Sequence, residues 1–162
     1  MHVVFLVFAV AMILFGLSLR GLVARRAAGA ARLFYISALS LCVTTFSLGP
    51  PFLRPPEPQL AYDVHVLSAS LAFVAGLLGM ATLTHVIWHH SLLDHLRGLV
   101  TALIFGCFLA MALDPFLTSI HGALEKLTLV GMIAWQLLIT PRLIAACEVG
   151  TPPVVDMSPP DH

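Results

Sequence analysis

Five stretches of this chain carry no Asp, Glu, Lys or Arg: Val3 to Leu19, Leu33 to Leu48, Val66 to Ile87, Leu99 to Leu113 and Leu127 to Ile139. Apolar runs of this length constrain the fold more than any other feature. A spanning helix needs about 20 mostly apolar residues to cross roughly 30 Å of hydrocarbon. Helices extend past the charge-free core of each run. The pattern therefore predicts five transmembrane helices, at about 2–22, 30–48, 63–88, 97–113 and 121–147. The runs are continuous rather than alternating, which excludes a transmembrane β-barrel. In lipid only helices and closed barrels satisfy the backbone. The expected fold class is all-α, an integral membrane helical bundle.

Composition agrees. The chain is 59% hydrophobic and 10% charged, against about 45–50% and about 25% in a soluble domain. That excludes a soluble globular enzyme and a disordered tail. Eight basic and eight acidic residues cancel, so nothing points to nucleic acid as a partner. Cys42, Cys107 and Cys147 are scattered without CxxC or metal spacing, so no redox signal is present.

The charges that do occur set the orientation. Arg20, Arg25, Arg26, Arg32, Arg97 and Arg142 fall on one side, and only Arg54 and Lys126 on the other. Basic residues collect on the cytoplasmic side, which places the N-terminus outside and the C-terminus in the cytoplasm. The first basic residue follows the first apolar run, so Met1 to Leu19 reads as a retained helix rather than a signal peptide. The expected domains are a transmembrane domain at 1–148 and a Pro-rich cytoplasmic tail at 149–162. Gly49 to Pro58 holds five prolines and reads as a stiff external loop without helix.

Within the third span, Ser68, Ala72, Gly76 and Gly79 recur at helical spacing. Small residues let helix backbones approach closely in lipid, so this face is expected to pack internally, with a dimer face as the alternative. Gln136, near the middle of the fifth span, is expected to hydrogen-bond another helix, and Pro141 to kink that span.

Eight histidines equal Lys and Arg combined. His65 and His121 open the third and fifth spans at the outer face, with Asp63, Asp114 and Glu125 near them. Ionisable groups within a membrane protein face the interior or water. Three readings compete. His65, His121, Glu125 and Asp114 form a Zn or Fe(II) site, which would suit a metal-dependent intramembrane lipid hydrolase. Alternatively His65 and His121 ligate haem b. The plainest reading is a hydrogen-bonded polar cluster with no cofactor. At the inner face lie His85, Trp88, His89, His90, Asp94, His95 and Arg97. That group reads as an interfacial segment anchored by Trp88, with a metal pair at His85 and His89 as the alternative.

Several features follow one another in a set order. A helix ends in Leu48-Gly49-Pro50 before a proline-rich loop. Asp63-Val64-His65 then opens a small-residue helix. Gly122-Ala123-Leu124-Glu125-Lys126-Leu127 runs into Ala134-Trp135-Gln136-Leu137-Leu138 and Arg142-Leu143. Over about residues 1–147 this resembles the DUF998 family of bacterial polytopic membrane proteins. In that resemblance His65 matches the loop-end histidine, Glu125 the Gln/Glu of the last helix and Trp135 its tryptophan. Lys126 stands where arginine is usual, and members usually have six helices. The resemblance implies a bacterial inner-membrane protein and no assigned activity. Val64-His65 with Glu125 to Val130 also resembles small membrane haem proteins of the protoporphyrinogen-oxidase type, without their flanking signature. The expected function is a non-catalytic accessory, scaffold or assembly subunit among other membrane protein subunits in the lipid bilayer. The rival readings are a haem- or metal-binding redox protein and the lipid hydrolase. No catalytic motif is complete, and the tail from Val149 to His162 suits partner contact.

Overall fold

A backbone in hydrocarbon has no water to bond, so each apolar run must close its own N–H to carbonyl bonds. The computed structural model describes residues 2–22, 27–47, 58–88, 93–117 and 121–148, and among these residues it has five α-helices and no strand. They are α1 (His2–Leu22), α2 (Ala28–Ser47), α3 (Pro58–Val86), α4 (Arg97–Leu113) and α5 (His121–Glu148). Ala28–Ser47, Gln59–Val86 and Gly122–Ala145 are long and apolar enough to cross a membrane; Val3–Leu19 and Arg97–Leu113 are shorter apolar helices.

The five helices lie where the charge-free runs place them, with most boundaries within two residues of expectation and one larger correction. α3 starts at Pro58, five residues before the expected start at 63. Proline at the first position of a helix has no N–H to lose there, and its fixed φ already suits the helix. Gln59 Nε2 donates to Asp63 Oδ1 at 2.9 Å, which ties the opening turns together. Pro58 therefore belongs to the helix and not to the loop. The rest of that loop, together with the tail at 149–162, lies outside the described residues. Pro141 sits inside α5, and the helix continues through it to Glu148. Arg142 Nη1 donates to Leu138 O at 2.6 Å, an extra N–H donor to a carbonyl next to the one that Pro141, lacking an N–H, leaves without its helical partner.

The centre of the bundle is aromatic. Trp135 of α5 is fully buried. Its ring meets Phe15 of α1 at 6.0 Å and Phe34 of α2 at 6.2 Å, while Phe15 and Phe34 meet edge to face at 5.1 Å. The indole Nε1 donates to Thr84 Oγ1 of α3 at 3.2 Å, so the one polar atom of this fully buried ring is satisfied. Four helices thus meet on one side chain. α4 joins through Cys107, whose Sγ lies against Gly131 and donates to Thr128 O at 3.7 Å.

The small-residue face of α3 is buried inside the chain. Ser37 Oγ of α2 donates to Ala72 O at 2.8 Å, and Thr44 Oγ1 donates to Ser68 Oγ at 2.9 Å. Gly79 lies against the Phe34 ring, where an added Cβ would come within 2.9 Å of its edge; Gly76 faces Met132, Ser37 and Met12. Without a hydrophobic drive between helices in lipid, this close approach is what packing has to work with. Trp135→Ala is therefore expected to reduce stability in detergent by about 3–5 kcal/mol. Gly79→Leu should lower the Tm by several degrees, while Gly106→Leu, which faces open space, leaves it unchanged. Thermal unfolding followed by circular dichroism checks all three.

Candidate functional site

At the end of the bundle where α3 and α5 begin and α4 stops, the helices diverge around a cleft of about 390 Å³. Volumes of this size fall within the range of small-molecule sites. Its walls combine Tyr62, His65, Ala69, Ser70 and Phe73 of α3, Asp114 just past α4, and Leu124, Glu125 and Thr128 of α5. Helical spacing explains the set. His65, Ala69 and Phe73 follow at four-residue intervals, and Leu124, Glu125 and Thr128 share an adjacent turn.

His65 is held from behind. Its Nδ1 lies 3.0 Å from Thr44 O and 3.3 Å from Ser47 Oγ, both on the last turn of α2. A carbonyl only accepts, so Nδ1 carries the proton and donates. Nε2 of the neutral ring then keeps its lone pair. Ser47 Oγ donates to the same Thr44 carbonyl at 3.0 Å, and Ser68 Oγ donates to His65 O at 3.1 Å. The imidazole is thereby fixed in orientation and tautomer, with its accepting edge left available.

Asp114 is the C-cap of α4, and its backbone N–H donates to Ala110 O at 3.1 Å. A carboxylate at this end of a helix opposes the helix dipole, which favours cations there. Glu125 lies on the first turns of α5, half-buried, and Lys126 beside it is exposed. On the cleft wall, Thr128 Oγ1 donates to Leu124 O at 3.0 Å.

Three of the four residues singled out from sequence at this end, His65, Asp114 and Glu125, therefore line one cleft. His121 is the first residue of α5, and its side chain lies outside the described residues. Among the described residues no group of three His, Cys, Asp or Glu side chains is arranged to hold a metal ion. Sequence reasoning missed Tyr62, Ser70, Phe73 and Thr128. Their signal was present as helical spacing from His65 and Glu125, but periodicity along one helix does not say which neighbour it faces. At the opposite end, Arg97 lies 5.8 Å from the Trp88 ring centre and 2.9 Å from Asp94 Oδ1. His85 and His95 are exposed, and His89 and His90 lie outside the described residues.

Compared with protein-family models, curated proteins and solved structures, the chain matches none.

The hydrogen bonds of His65 make a spectroscopic prediction. In the neutral ring its 15N signals should report a protonated Nδ1 and an unprotonated Nε2. Thr44 offers only its carbonyl oxygen at this position, so the opposite tautomer would refute the geometry.

Proposed function

We propose that this chain is a multi-pass protein of a bacterial inner membrane, with its N-terminus outside, acting as a non-catalytic accessory or assembly subunit. Its role is to pack against the transmembrane helices of partner proteins. One observation supports this above the rest. Between α1 and α5 runs an apolar groove of about 360 Å³, lined by valines of α1, Phe8, Ala11, Ile133, Leu137 and Gln136. Gln136 lies near the middle of α5, and its Nε2 donates to Met12 Sδ at 3.0 Å. A thioether is a weak acceptor, and no hydrogen bond to the amide oxygen is made among the described residues. An amide left unsatisfied in an apolar medium costs about 2–7 kcal/mol, depending on the reference state. A partner helix with a hydroxyl or amide at the same depth removes that cost, as polar side chains do between membrane helices. The DUF998 resemblance, which rests on the motif residues alone, agrees with a membrane role and adds no activity. The six-to-two division of basic residues supports the orientation.

A photo-crosslinker at Leu137, 70% exposed on the groove, should capture a protein in native membranes. The same group at Phe105, 67% exposed on α4, should capture lipid alone. Gln136→Leu should weaken the captured complex roughly fivefold, for a hydrogen bond worth about 1 kcal/mol. A chain that stays monomeric in mild detergent and gives only lipid adducts at Leu137 rejects the accessory role.

A further inference from the structure

Gln136 lies near the middle of α5, on the wall of the groove between α1 and α5. Its primary amide offers two N–H donors and one oxygen acceptor. One N–H goes to Met12 Sδ, while the second N–H and the oxygen make no hydrogen bond among the described residues. A complement for this amide must carry both a donor and an acceptor. It must also stand at the same depth in the hydrocarbon. A second copy of the chain meets both demands. Copies inserted in one orientation close into a dimer only about a twofold axis along the membrane normal, and that axis returns every residue to its own depth. Gln136 of one copy then faces the partner's Gln136, and each amide oxygen accepts the other's free N–H. The surroundings are self-complementary too. An isologous interface needs a projection and a recess on one surface. Leu137 projects beside the amide, 70% exposed, and the recess next to it is lined on the α1 side by Val7, Phe8 and Ala11. Ile133, Gln136, Leu137 and Thr140 fall at i, i+3, i+4 and i+7 on one helical face, and none of them is buried by its own chain. Of the three helices long and apolar enough to cross a membrane, α5 is the least buried within the chain.

We propose that this face seats a second copy of the chain. The two copies form a twofold dimer, with the Gln136 amides paired across the axis and Leu137 of each copy in the other's groove. The proposal rests on the reading of the groove as a protein-binding face, and it names the occupant.

The test uses the full chain in a mild non-ionic detergent, as a mixture of unlabelled and 15N-labelled protein carrying the photo-crosslinker at Leu137. Adducts of twice the chain mass should form, including mixed-isotope species, with the second attachment point on α1 or α5. Sedimentation equilibrium of the natural chain should show a monomer–dimer equilibrium. Gln136→Leu removes two symmetric bonds and should weaken the dimer about twenty-five-fold, roughly fivefold for each bond. Val7→Trp, at a position 63% exposed, fills the groove with Gln136 intact and should leave only monomer. This second variant decides the matter if the first fails to fold, as judged by circular dichroism. A monomer at every concentration, adducts without mixed-isotope species, or a dimer of unchanged affinity in a folded variant overturns the proposal. The same crosslinker in native membranes separates the two readings. An adduct of twice the chain mass supports the second copy. An adduct with a different protein overturns the second copy and leaves the accessory role standing, and adducts with lipid alone reject both.

Discussion

The burial of Trp135 is the contact on which the arrangement of helices depends. Lipid tails are as apolar as leucine, so helices in a bilayer are not driven together by the exclusion of water. Shape and a few hydrogen bonds must do it. Trp135 supplies both, packing against the Phe15 and Phe34 rings and bonding Thr84. Gly76 and Gly79 of α3 leave the room that this aromatic centre and Met132 occupy. A bulkier residue at either glycine would push α3 away from Phe34 or Met132, and the Thr84 bond would be strained with it.

Polarity in the rest of the molecule is sorted by depth. In α2 the hydroxyls of Thr44, Thr45 and Ser47 bond carbonyls of their own helix three or four residues back, so they are carried through the apolar zone already satisfied. Thr44 also reaches Ser68, which links α2 to α3 beside His65. The same hydroxyl-rich turn of α2 that packs the bundle thus orients the imidazole. Ionisable groups gather at the two ends: His65, Asp114 and Glu125 at one, Asp94 and Arg97 with Trp88 at the other. That is the distribution expected where the middle of the molecule excludes water.

The five helices were legible in the sequence because charge is so costly in hydrocarbon that its absence marks them, and three of the five are long and apolar enough to cross a membrane. α1 and α4 begin and end at the expected residues, and α5 to within one. The start of α3 was not legible, since Pro58 closes a proline-rich run and also suits the first turn of a helix. Only the tertiary setting decides between these. The convergence of His65, Asp114 and Glu125 could be anticipated, because antiparallel neighbouring helices bring the start of α3, the end of α4 and the start of α5 to one end of the bundle. The role of α2 in holding His65 could not, as nothing in the order of residues pairs Thr44 O with an imidazole 21 positions later. Ser70 and Thr128 were hidden for a related reason: small hydroxyl residues in a membrane helix usually bond their own backbone, as Thr128 does.

α1, α2 and α3 pack side by side through long interfaces, and α4 pairs with α5; contact between α3 and the α4–α5 pair is far smaller. α3 meets α5 at Gly76 against Met132 and at Thr84 against Trp135. Mechanically this makes a fulcrum. His65 lies eleven residues from Gly76, roughly 16 Å along the helix at 1.5 Å per residue. A tilt of about 5° at the fulcrum moves the far rim by roughly 1.4 Å, close to the radius of a water molecule. By geometry alone, a small angle about this buried contact corresponds to a much larger displacement at the rim of the cleft.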